Sequence, residues 1–203
     1  MPESRRKVFV IGESGIEREL ESEGIPVVGG TDPAFNRRME SADYVGIANG
    51  TLLDPEVGVV LVGLDLQVNY LKLSMGYHYL RRGAVFLATN VDSTFPHSGT
   101  LFPGAGTMSN PLVKMIGKEP VALGKPSQAM MEAIKGKFHF QPERTCMVGD
   151  RINTDIRFGV EGALGGTLGV LTGVSSKDDF FTSSIRPTAY VDKLADLLAA
   201  RTS

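Results

Sequence analysis

The chain has 203 residues, a formal net charge of -2 at neutral pH, 42% apolar and 22% charged side chains, the balance of an ordinary globular protein. That length suits one large domain or two small ones, which would bury roughly 70% of the unfolded surface. The near-neutral charge gives no footprint for nucleic acid or an acidic membrane surface; no apolar run is long enough to span a bilayer, and the single cysteine, Cys146, excludes a disulfide framework.

Met1 to Lys7 is polar with no signal-type apolar segment after it, so the chain reads as cytoplasmic. Val8 to Ile11 is a short β-rich run closed by Gly12, and Ser14 to Ser22 carries helix formers with Ile16 and Leu20 on one side. A second short strand follows around Pro26 to Val28. Ala34 to Gly50 is polar with weak periodicity, which predicts a loop with one helical turn; Asn49-Gly50-Thr51 matches a glycosylation acceptor but reads more simply as a turn. Val59 to Val62 predicts a strand buried on both faces. Tyr70, Leu73, Tyr77 and Leu80 recur at helical spacing, so a helix from about Gln67 to Arg82 packs that face on the sheet. His78 is assigned to the helix surface, since no His or Cys partner lies at ligand spacing.

Val85 to Ala88 predicts another strand, ending in Thr89-Asn90-Val91-Asp92. Ser93 to Gly106, rich in Ser, Pro and Gly, reads as a loop too irregular for an element yet long enough to be functional. Gly104-Ala105-Gly106 lacks the third glycine of a dinucleotide loop, and Gly124-Lys125 runs into Pro126, unlike a Walker loop. Pro111 to Ile116 predicts a helix, with a boundary near Lys118-Glu119-Pro120. From Val121 a βαβ rhythm sets in: strand, helix from Gln128 to about Lys137 capped by Ser127, and a buried strand at Thr145 to Val148 that includes Cys146. A helix led by Thr154-Asp155 then runs to about Gly162, followed by a strand at Gly166 to Leu171, a short strand at Ala189 to Val191 and a helix from Leu194 to Ala200.

Asp150 stands where a strand stops, the edge at which open parallel sheets hold ligands. Thr154 can cap the following helix and Asp155 suits its first turn. Lys125 ends an earlier strand at the same edge. An ammonium suits phosphate oxygens, and two carboxylates suit a hard divalent cation such as Mg²⁺.

Gly124-Lys125-Pro126-Ser127, then Val148-Gly149-Asp150-Arg151-Ile152-Asn153-Thr154-Asp155, then Leu171-Thr172-Gly173-Val174-Ser175, resemble the third and fourth motifs of the haloacid dehalogenase superfamily. The resemblance narrows to its phosphoglycolate, 4-nitrophenyl phosphate and pyridoxal phosphate phosphatase branch. It extends upstream through Val62-Gly63-Leu64-Asp65, Tyr70-Leu71-Lys72-Leu73, Ala88-Thr89-Asn90-Val91-Asp92 and Pro103-Gly104-Ala105-Gly106-Thr107, nearly the whole chain.

The resemblance implies an α/β fold in two parts, a C2-type cap over residues 1–117 and the C-terminal half of a Rossmann-like core over 118–203. It implies a Mg²⁺-dependent phosphatase of small phosphate monoesters in which Lys125 steadies the phosphate, Asp150 binds the metal, and Asp155 binds it or orients its water shell. The cap loop would select substrate through Asn90, Asp92, and Phe95 or His97; the reading of the residues alone is a solvated turn with a partly buried Phe. Caps of this branch pair, which implies a homodimer. The family attacks phosphate with the first Asp of a D-x-D-G segment, and this sequence contains none: Asp65 is followed by Leu66-Gln67, and Asp178-Asp179 are adjacent. The chain is therefore expected to be a truncated form, inactive alone and with an unpaired core strand edge; the alternative is a non-catalytic binding or dimerisation module.

Overall fold

A computed structural model describes residues 5–199. They divide between Leu123 and Gly124 into two compact units, and both are α/β.

The first unit contains β1 (Lys7–Ile11), α1 (Ser14–Ser22), β2 (Val27–Gly29), α2 (Ser41–Asn49), β3 (Val57–Val62), α3 (Tyr70–Arg81), β4 (Val85–Ala88), β5 (Thr94–His97), β6 (Thr100–Pro103), α4 (Ala105–Ile116) and β7 (Val121–Ala122). Five strands form a sheet in the order β2-β1-β3-β4-β7, and every pair is parallel. Each residue of β3 is buried, as a strand covered on both faces requires. Alternate residues part the core: Phe9, Ile11, Val60 and Val62 pack with Leu71, Met75, Tyr79 and Leu112 from α3 and α4, while Val8, Val10, Val59 and Leu61 meet Ile16 and Leu20 of α1. Each such side chain, fully buried, contributes about 1.5–3 kcal/mol.

Four sequence expectations change here. The fully sealed line of α3 is Leu71, Met75 and Tyr79; of the expected face Leu80 is buried, Leu73 and Tyr77 pack against the core partly buried, and Tyr70 is exposed. Residues 41–49 form a full helix where a loop was expected. Its signals are polar: Asp43 Oδ2 accepts the Glu40 N–H at 2.7 Å, and Gly50 ends it in the left-handed region at φ 85°. Thr94–His97 and Thr100–Pro103 pair as an antiparallel hairpin rather than an irregular loop. Ser98 and Gly99 both have positive φ, 49° and 78°, which is the two-residue turn whose twist suits a hairpin. Finally, α4 begins at Ala105 and carries Pro111 inside it, whereas the proline invites a start at 111.

The second unit contains α5 (Gln128–Phe138), β8 (Cys146–Gly149), α6 (Arg157–Glu161), β9 (Gly166–Val170), α7 (Lys177–Thr182), β10 (Ala189–Val191) and α8 (Asp196–Ala199). The expected end of α8 at Ala200 lies outside the described residues. Val121-Ala122, expected to open this half, pairs instead with β4 of the first unit. The sheet is parallel, ordered β10-β9-β8. Gly159 of α6 lies so close to Thr167 and Met147 that a β-carbon would collide, and Phe180 of α7 lies against Gly169 in the same way. Among the described residues β8 pairs only with β9. Cys146 on this edge strand is exposed, not buried as expected.

Candidate active site

The C-terminal ends of β8 and β9 carry the candidate chemistry. Between β8 and α6 the chain makes a π turn over Ile152–Ile156, with Asp155 and Ile156 buried. Asp155 Oδ2 accepts the N–H groups of Asp150 at 3.2 Å and Arg151 at 3.1 Å. Thr154, expected to cap this segment, makes no such bond among the described residues; the carboxylate of Asp155 reaches back and does the capping, because the wider π turn brings it under the start of its own helix. Gly149 makes room, since a β-carbon there would run into the Asp155 side chain.

Lys125, three residues before α5, brings its Nζ to 2.6 Å from Asp155 Oδ1; the lysine side chain is 42% exposed and the carboxylate 6%. Ser127 precedes α5 as expected, but its hydroxyl makes no capping bond. Asp155 Oδ1 is sealed from solvent and accepts no well-directed hydrogen bond among the described residues, so its contact with Lys125 is an ion pair at the mouth of the site. Asp150 is half-buried, and its Oδ2 accepts the Val174 N–H at 2.7 Å. The structure thus gathers Lys125, Asp155 and Asp150 at one strand edge. It adds the turn Gly173-Val174-Ser175, to which the sequence assigned no role; a glycine three residues beyond the end of β9 was the available signal.

The other four candidates belong to the first unit. Asn90 Oδ1 accepts the Asp92 N–H at 3.1 Å, a local turn. Phe95 is half-buried and His97 exposed, and both rings pack with Phe102 across the hairpin at centroid distances of 6.1 and 5.9 Å. The strand order of this unit reverses at β1 and β3, where parallel sheets commonly hold ligands. That crevice is filled from within: Ile16 lies against both Gly12 and Gly63, and Glu13 Oε1 accepts the Leu66 N–H at 2.9 Å.

Two carboxylates and a lysine thus meet at the carboxyl edge of a parallel sheet. The chain belongs to the haloacid dehalogenase-like hydrolases. Residues 122–197 match the model of that family described as HAD-hydrolase-like. The chain is 46% identical over 195 residues to a 4-nitrophenylphosphatase of Schizosaccharomyces pombe, covering 95% of this chain and 64% of that protein. It is 39% identical over 203 residues to the chloroplastic phosphoglycolate phosphatase 1A of Arabidopsis thaliana, covering 97% of this chain and 54% of that one. Among solved structures it resembles the hypothetical protein PH1952 of Pyrococcus horikoshii, with a TM-score of 0.77 and 32% identity, covering 96% of this chain and 67% of that one. Among the described residues no helix is long and apolar enough to cross a membrane.

Proposed function

We propose that these residues form the phosphate- and cation-holding part of a phosphatase acting on small phosphate monoesters of the phosphoglycolate or 4-nitrophenyl phosphate kind. The observation that carries the reading is the meeting of Lys125 with Asp155 beside Asp150 at one strand edge. Lys125, partly exposed, is placed to hold a phosphoryl oxygen; Asp155, held by two N–H groups, keeps the ammonium in place.

The donor set fits Mg²⁺, which prefers carboxylate oxygens and completes its shell with water and phosphate: Asp150 would hold the ion, and the buried Oδ1 of Asp155 would hold it or its water shell. Bound there, the ion would offset the charge on the phosphoryl oxygens. The 203 residues contain no D-x-D pair, so the reading assigns no nucleophile among them. In the same reading the first unit, expected as residues 1–117, acts as cap and the second, expected as 118–203, as part of the core, Asn90, Asp92, Phe95 and His97 select substrate, and the protein is cytoplasmic.

Calorimetric titration tests the reading. The chain should bind inorganic phosphate only with Mg²⁺ present, with binding abolished in Asp150→Asn and weakened about tenfold or more in Lys125→Ala. Phosphate binding indifferent to Mg²⁺ rules the reading out. With 4-nitrophenyl phosphate and Mg²⁺ the chain alone should stay at background, and mixing with a segment carrying D-x-D-G should restore turnover.

A second reading, a module in which caps pair as a homodimer, is favoured by the open apolar groove that Tyr44, Tyr70, Tyr77 and Met115 line on the first unit. A stable dimer on a sizing column that also fails the phosphate titration would select it.

A further inference from the structure

We infer that the turn Gly173-Val174-Ser175 sets the direction of the Asp150 carboxylate, with Ser175 as a positioning residue; this rests on the reading of Asp150 as the cation-holding carboxylate. Three consecutive N–H groups, those of residues 150, 151 and 152, open the π turn. Such a run forms a concavity that attracts any nearby anion, and the Asp150 carboxylate is the nearest in sequence. The structure takes all three donors away from it. Asp155 Oδ2 accepts the first two, and Ser175 Oγ accepts the Ile152 N–H at 3.3 Å.

With its own turn closed to it, the Asp150 side chain turns to the other loop. Val174 donates its N–H to Oδ2 at 2.7 Å, and the Ser175 N–H donates to the Asp150 carbonyl at 3.0 Å. Gly173 lies against the carboxylate so closely that a β-carbon would strike Oδ2 and Cγ. Side chain and backbone of Asp150 are thereby fixed by one turn, and Ser175 bonds in both directions across it. Groups that hold a metal-binding carboxylate in this way typically contribute about 10- to 100-fold in metal affinity.

Mn²⁺ binding to the 203-residue chain, followed by the electron paramagnetic resonance of the free ion, and amide hydrogen exchange at Val174 and Ile152 test this together. Ser175→Ala should weaken Mn²⁺ binding about tenfold and speed exchange at both amides. Ser175→Thr, which keeps the acceptor oxygen, should return affinity to within about threefold of native. Gly173→Ala should lose at least as much as Ser175→Ala. Native affinity and native exchange in Ser175→Ala, with binding still abolished in Asp150→Asn, would overturn the inference and leave the metal reading standing. So would a loss that threonine does not restore. A native chain that fails to bind Mn²⁺ overturns both.

Discussion

Lys72 Nζ lies 2.7 Å from Asp65 Oδ2, and each side chain is 1% exposed. Asp65 Oδ1 also accepts the Gln67 N–H at 2.8 Å, so both carboxylate oxygens are engaged. Removing one member of a buried pair leaves an uncompensated charge, at a cost of about 3–5 kcal/mol, whereas removing both does not. Lys72→Met should therefore lower the urea midpoint sharply, and Asp65→Asn/Lys72→Met should recover much of the loss. A double variant as unstable as the single one would show that the charge left behind is not the cause.

Asp43 gives the first unit a defined acid limit. The bidentate bond from Arg37, then the Glu40 N–H, hold its carboxyl at about 2, against about 3.9 in an unfolded chain. With the folded value depressed, the stabilisation is complete above the unfolded value and is lost as pH falls through 3.9 toward 2. Melting curves between those limits should fall more steeply for the native chain than for Asp43→Asn, which carries no titrating carboxyl there.

Two glycine substitutions should have opposite signs. At Gly136, in α5, a β-carbon meets nothing within 4 Å, so Gly136→Ala should stabilise by about 0.5–1 kcal/mol. Gly149→Ala drives its methyl into Asp155 and should reduce both thermal stability and Mn²⁺ affinity. Equal melting temperatures for the two variants would contradict the packing described.

Cys146 should react readily with Ellman's reagent in the native protein, because it stands exposed on β8 at the edge of its sheet. Protection of the thiol without denaturant would mean that something covers that edge.

What the sequence disclosed follows from what periodicity can encode. Val59 to Val62 announced a strand sealed on both faces because each residue is apolar, and Asp150 declared itself by ending such a run. The helix at residues 41–49 was hidden because only Asp43 and Ile47 are buried in it, so its evidence is a cap and not a stripe. The hairpin was missed because its strands are mostly exposed and its one firm signal is the pair Ser98-Gly99. At the site, the residue types of Lys125, Asp150 and Asp155 were readable. That Asp155 caps its own turn, and that Val174 and Ser175 hold Asp150, depends on where two loops meet, which spacing alone does not specify.

Strand β1 sits between β2 and β3, and its register joins Val8 to Val27 on one side and to Val59 on the other. During synthesis at about 5–20 residues per second, the second of those neighbours leaves the ribosome roughly 2–6 s after the first. Until then the edge of β1 that pairs with β3 lacks its partner strand.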